Sequence, residues 1–131
     1  MIRIPQGSRV LILEDDPRRM KEFRRRLIGT HVVHAETASE CIAVLSEDTA
    51  WDVIFLDHDL GGEQMVEGVE GTGYEVALWI YEHMPERPPV VIHSANPVGA
   101  RRMRELLFGS VTFSCAWLHV EVERPTQGGG P

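Results

Sequence analysis

Phe55-Leu56-Asp57-His58-Asp59-Leu60-Gly61-Gly62 (FLDHDLGG, residues 55–62) changes chemistry abruptly. The apolar run Val53–Leu56 stops on two carboxylates with an imidazole between them. A short run that is apolar at every position, with no polar alternation, reads as a strand covered on both faces. Like charges crowded at the end of such a strand repel unless something holds them there. That requirement guides the reading of the rest of the chain.

The same event occurs twice more. Arg9-Val10-Leu11-Ile12-Leu13 runs into Glu14-Asp15-Asp16, and Val90-Val91-Ile92 runs into His93-Ser94. Helical signals lie between these runs. Pro17 after Asp16 suits an N-cap followed by proline at the first helical position. Met20, Phe23 and Leu27 then recur at helical spacing, and Gly29 is placed to stop that helix. His31–Ala35 reads as a second strand. Thr37-Ala38-Ser39-Glu40 is a capping box that opens a helix with Cys41, Ile42 and Leu45 on its apolar side. Thr72-Gly73-Tyr74-Glu75 is a second box. Its helix is predicted to run to about His83, where Pro85, Pro88 and Pro89 end it.

Ser94-Ala95-Asn96-Pro97 leads into a further helix carrying Met103, Leu106 and Leu107. Residues 111–122 are strand-like without a legible register, and no clear helix follows them. Strands alternating with helices predict an α/β domain over residues 1–124, with a mainly parallel sheet and helices on both faces. Residues 125–131 read as a disordered tail. Such sheets place their sites beyond the carboxyl ends of the strands. Every polar cluster named above falls on that edge.

The chain has 131 residues, 43% of them hydrophobic, which suffices for one core. Thirteen basic against 20 acidic residues give a net charge of −7, which argues against a general nucleic-acid coat protein. No charged segment followed by an apolar stretch opens the chain, and no apolar run approaches the ~18–20 residues that span a bilayer. A cytoplasmic location without membrane contact is expected. Cys41 and Cys115 lack metal-ligand spacing and read as small core residues. Lys21 is the only lysine.

Carboxylates converging on one edge fit a hard divalent cation, Mg2+ or Mn2+, which takes oxygen ligands and a phosphate. Asp15 or Asp16 with Asp57 are candidates, and Asp59 extends the set. Asp16 reads equally well as a plain N-cap. The helix starts after Asp16 and Asn96 offer partial positive charge to a phosphate.

The layout resembles the receiver domain of two-component signalling over roughly residues 8–118. LILEDD matches its first acidic motif, Asp57 its phospho-acceptor and Ser94 its Ser/Thr position. The resemblance implies a flavodoxin-like (CheY-like) sheet of five parallel strands in the order 2-1-3-4-5. Three features depart from it. The lysine that receivers carry at the end of strand five is missing, the last helix is not apparent, and residues 61–73 form a long glycine-rich acidic loop. His58 and His93 also stand beside the acceptor and the hydroxyl.

DHDLGG, TGYE and HSANPVGARRM together resemble a receiver offshoot, the cyclic-phosphate processing receiver domain. That resemblance implies hydrolysis of a cyclic phosphate, such as a 2′,3′-cyclic end of RNA or a nucleotide. Opening the ring needs a base for water and an acid for the departing oxygen, and imidazoles suit both. His58, flanked by Asp57 and Asp59, is expected as the acid and His93 as the base, with Asp57 also counted as catalytic. Ser94 and Asn96 are expected at the phosphate, or as helix-entry caps. Arg101 is expected to bind substrate, and Arg18, Arg19, Arg102 and Arg104 either track phosphates or form solvated helix faces.

Two other readings stand beside this one. In the first, Asp57 is phosphorylated by a kinase; no kinase partner is expected otherwise. In the second, the chain is an inert receiver-shaped interaction domain. The partner is thus expected to be a phosphorylated small molecule or an RNA end. The acidic loop serves as a lid or as mobile surface. Apolar sheet left bare around Trp117 and Leu118 would favour a homodimer.

Overall fold

The computed structural model describes residues 1–60 and 71–124. Five strands form the main sheet: β2 (Arg9–Leu13), β3 (His31–Ala35), β4 (Val53–Leu56), β5 (Val90–His93) and β6 (Val111–Phe113). All neighbours pair in parallel in the order β3-β2-β4-β5-β6. Counted from β2, this is the expected 2-1-3-4-5. Four helices connect them: α1 (Pro17–Arg26), α2 (Ala38–Glu47), α3 (Gly73–His83) and α4 (Pro97–Leu106).

Strand alternation divides the core in two. Leu11, Leu13, Ile54, Leu56 and Ile92 face α2, α3 and α4, against Leu45, Val76, Ile80 and Met103. Val10, Ile12, Phe55 and Val91 face Met20 and Phe23 of α1. Because both faces are covered, β2, β4 and β5 carry apolar residues at successive positions.

Local chemistry sets the helix starts. Asp16 Oδ1 accepts from the Arg18 and Arg19 amides at 2.8 and 3.3 Å. Thr37 Oγ1 accepts from the Glu40 amide at 3.1 Å. Asn96 Oδ1 accepts from the Gly99 amide at 3.0 Å. Thr72 makes no such side-chain cap bond at α3, and the glutamate arm of both predicted boxes falls one residue early. Glu40 accepts from the Glu36 amide and Glu75 from the Gly71 amide, rather than from the N-cap itself.

The C-terminal part clarifies residues 111–122. Val111, Thr112 and Phe113 pair with Val91, Ile92 and His93. A 3-10 turn (Ala116–His119) follows, then β7 (Val120–Glu123). β7 pairs in parallel with β1 (Ile2–Pro5), a strand not anticipated from the sequence. This ribbon lies on the α1 face, where Ile4, Ala116 and Val120 are buried beside Phe23. It takes the place of the missing last helix, so the expected bare surface is corrected. Trp117 packs into that core, while Leu118 stays half exposed. The predicted tail, residues 125–131, and all but the end of the predicted lid, residues 61–70, lie outside the described residues.

Candidate functional site

The ends of β2, β4 and β5 open a cleft of about 490 Å³ lined by Asp15, Asp16, Arg19, Asp57, Asp59, His93 and Ser94, among others. Its base is an ion-pair network. Glu14 continues the Val10–Ile12 side of β2 and is fully buried. Arg19 grips it with two bonds, Nε to Oε1 at 2.9 Å and Nη2 to Oε2 at 3.0 Å. The same Nη2 lies 3.4 Å from Asp57 Oδ2. It is also 3.7 Å from Asp15 Oδ1, and Nη1 is 3.7 Å from Asp16 Oδ2.

Asp57 is almost fully buried, and its pKa is pushed up to about 8. Loss of solvation is the main cause and the Glu14 charge adds to it, while Arg19 pulls the other way. Burial thus favours the protonated form of Asp57.

A divalent cation fits this arrangement. Ligand oxygens of Glu14, Asp15 and Asp57 all lie within 4.8 Å of one another. The charges of Glu14, Asp15 and Asp59 add to burial in raising the Asp57 pKa. Asp15 and Asp57 therefore meet as expected, but two expected ligands do not join them. Asp16 spends Oδ1 on the α1 amides, as an N-cap does, and the next acid inward, Glu14, takes its place. Asp59 turns to His58 and Asn96, accepting at 2.9 and 3.3 Å.

The two histidines do not face each other. Parity along β4 and β5 puts Asp57 and His93 on the α1 side, and His58 on the side of α3 and α4. The His93 ring stands edge-on to Phe23, with centroids 4.9 Å apart, and its Nδ1 is 3.5 Å from Glu14 Oε1. Its Nε2 is buried and has no hydrogen-bond partner among the described residues. Burial, with Arg19 nearby, lowers its pKa to about 3, so the ring is neutral. His58 lies against the backbone of α4, so close to Gly99 that a Cβ there would meet ring atoms at 2.5 Å. The expected pair of imidazoles on one phosphate is thus corrected: His93 lines the cleft, and His58 braces Asp59 from behind.

Ser94 Oγ accepts from the Asn96 amide at 3.0 Å and lines the cleft. The Asn96 side chain caps α4 through Oδ1 and donates to Asp59 through Nδ2. Arg101 is exposed and paired with Glu105 at 3.0 Å, one helical turn away, and does not line the cleft. The glycines of the second and third motifs explain why DHD, TGYE and NPVGARRM occur together. Gly73 packs on the Asp57 carbonyl and donates its amide to the His58 carbonyl at 2.9 Å, and Gly99 packs on the His58 ring. Glu14 and Arg19 were missed as partners within the site. The signal for Glu14 was its even spacing from Val10 and Ile12.

A parallel 2-1-3-4-5 sheet with an acidic cleft and an aspartate at the end of β4 defines a receiver-like domain. Solved receivers share the fold. The Mn(2+)-bound form of response regulator Rcp1 aligns with a TM-score of 0.63 at 18% identity, over 81% of this chain and 80% of that one. The HemR receiver domain from Leptospira biflexa gives 0.63 at 24% identity, over 82% and 81%. A CheY-like receiver domain from Methylobacillus flagellatus gives 0.62 at 18%, over 86% and 92%. No curated protein matches. Residues 10–108 match the model of the cyclic-phosphate processing receiver domain, and the chain belongs to that family.

Proposed function

We propose that this domain hydrolyses a cyclic phosphate, such as a 2′,3′-cyclic end of RNA or of a nucleotide, using Mg2+ or Mn2+. The observation that carries the reading is His93: a neutral imidazole with an unpartnered Nε2, set beside the acid cluster in the same cleft. Glu14, Asp15 and Asp57 would hold the ion, which when bound supplies positive charge to polarise a phosphoryl oxygen. Glu14, facing Nδ1, favours the tautomer with the lone pair on Nε2; that atom is enclosed in this structure, so the ring must turn it into the cleft to take a proton from water. The water oxygen bonds to phosphorus and one ribose oxygen–phosphorus bond breaks. That oxygen takes up a proton, leaving a monoester. Ser94 offers a hydroxyl at the cleft wall, and His58 acts through Asp59 and Asn96 by positioning the cleft wall.

The test is incubation with a 2′,3′-cyclic nucleotide and Mn2+. His93→Gln is expected to lower turnover at least about 100-fold, the usual contribution of general-base catalysis. His58→Ala is expected to retain a measurable part of the activity. Wild-type turnover in folded His93→Gln would overturn the reading.

A second reading has one observation in its favour: Asp57 ends β4 across the cleft from Ser94, as an acceptor and its Ser/Thr partner would. Incubation with acetyl phosphate, followed by intact-mass measurement, distinguishes the two. A lasting phosphoryl adduct lost in Asp57→Asn would favour signalling.

A further inference from the structure

We propose that Arg19 is the phosphate-contacting cation of this cleft: anchored on Glu14, it transfers its outer nitrogen from Asp57 to the phosphoryl group when a divalent ion takes Asp57. The inference rests on the reading that the cleft receives a phosphate beside an ion. Three observations lead to it.

First, the only lysine, Lys21, is exposed on α1, and β6 carries none. Among the described residues Arg19 alone forms an ion pair with Asp57. Arg18, the other cation at the rim, is almost wholly exposed and among the described residues pairs with Asp16 alone, at 3.9 Å.

Second, the contacts of Arg19 are unequal. Its two bonds to Glu14, at 2.9 and 3.0 Å, have the forked geometry that a guanidinium makes with a carboxylate. Its contact to Asp57, at 3.4 Å, is longer than these two bonds and depends on a nitrogen already committed to Glu14. An ion taking Asp57 would compete for that oxygen, while two bonds still tie Arg19 to Glu14.

Third, the Arg19 side chain is 40% exposed, whereas Glu14 is sealed beneath it. The guanidinium therefore has one face on a buried acid and the other toward the cleft. A planar fork with several donors can serve both at once, and an ammonium cannot do so in the same way. Four carboxylates, Glu14, Asp15, Asp16 and Asp57, surround this single cation. Removing it should strengthen attraction for a metal ion and weaken attraction for an anion. A residue that only kept Glu14 in place would have no reason to move the two in opposite directions.

The experiment measures Mn2+ binding by electron paramagnetic resonance, then binding of inorganic phosphate to the Mn2+-loaded protein by calorimetry. No turnover is involved. In Arg19→Gln, Mn2+ is expected to bind about threefold or more tightly, because a neighbouring positive charge is gone. Phosphate is expected to bind about tenfold more weakly, the loss of a charge-assisted contact. Arg19→Lys keeps the charge over Glu14 and protects against misfolding. It is expected to leave Mn2+ binding unchanged while phosphate binding still falls. Phosphate binding that survives both substitutions, or Mn2+ binding that weakens in Arg19→Gln, would overturn the role of Arg19 alone. Wild-type protein that binds Mn2+ but no phosphate would overturn this inference together with the proposed function.

Discussion

Gly99 has no room for a side chain, because the ring of His58 occupies the space where a Cβ would stand. Gly99→Ala is expected to destabilise the fold by about 1–3 kcal/mol, the usual cost of overpacking. Gly73→Ala should cost more, because its obstacle is the Asp57 backbone, which cannot rotate away as a ring can. Urea unfolding checks both values. The His58 imidazole NMR signals should move in Gly99→Ala and little in a surface variant such as Arg101→Ala. The same scale shows what sequence alone conveyed about the site. Asp15, Asp57, Asp59, His93 and Ser94 are legible from position, because each follows an apolar run. Which acid of Glu14-Asp15-Asp16 turns inward depends on phase and capping: Asp16 is drawn to the α1 amides, and Glu14 continues the buried side of β2. The opposed sides taken by His58 and His93 follow from strand parity as well, since Asp57 and His93 fall in step across β4 and β5 and His58 does not.

Among the elements, β1 carries the least local signal, yet its Ile4 is buried in the α1-side core. Its partner lies over a hundred positions away, so no hairpin turn or neighbouring helix announces it. Pro5 and Gly7 also suggest a turn rather than a strand. What was available is alternation: Ile2 and Ile4 point to the core, and Arg3 and Pro5 do not. Four of the main strands and the four helices were legible because each is bounded by its own cap, glycine or proline; the register of β6 was not. Ile4 is 3% exposed, and Ile4→Ala is expected to cost about 2–4 kcal/mol, as other buried large-to-small changes do. Denaturant unfolding with an unchanged m-value would check this. A loss below about half a kcal/mol would mean that the ribbon is only loosely held, since surface changes are that small.

For the whole molecule, two buried groups set opposing pH dependences. Asp57 has its pKa raised from 3.8 to about 8 in the folded chain, so the stability it contributes is full below 3.8 and is lost as pH rises toward 8. His93 has its pKa lowered from 6.5 to about 3, so its contribution is full above 6.5 and is lost as pH falls toward 3. Between 3.8 and 6.5 the two slopes oppose each other, and from 6.5 to 8 Asp57 acts alone. The Tm of metal-free protein is therefore expected to fall between pH 6.5 and 8, and Asp57→Asn to remove that fall. Mg2+ should reverse the decline, because the ion takes the ionised carboxylate that the rise in pH releases. Scanning calorimetry across this range, with and without Mg2+, reads all three. A flat wild-type profile without metal would contradict the burial argument for Asp57.

The pairing of β1 with β7 also imposes an order of events. Ile2 meets Val120, so a loop of more than a hundred residues must close before these two strands can dock. Closing so long a loop is entropically costly, which places this contact late in folding. A contact formed after the transition state acts mainly on how slowly the native chain opens. The ribbon then works as a latch: it adds little to the speed of assembly, and it governs how long the finished cleft persists.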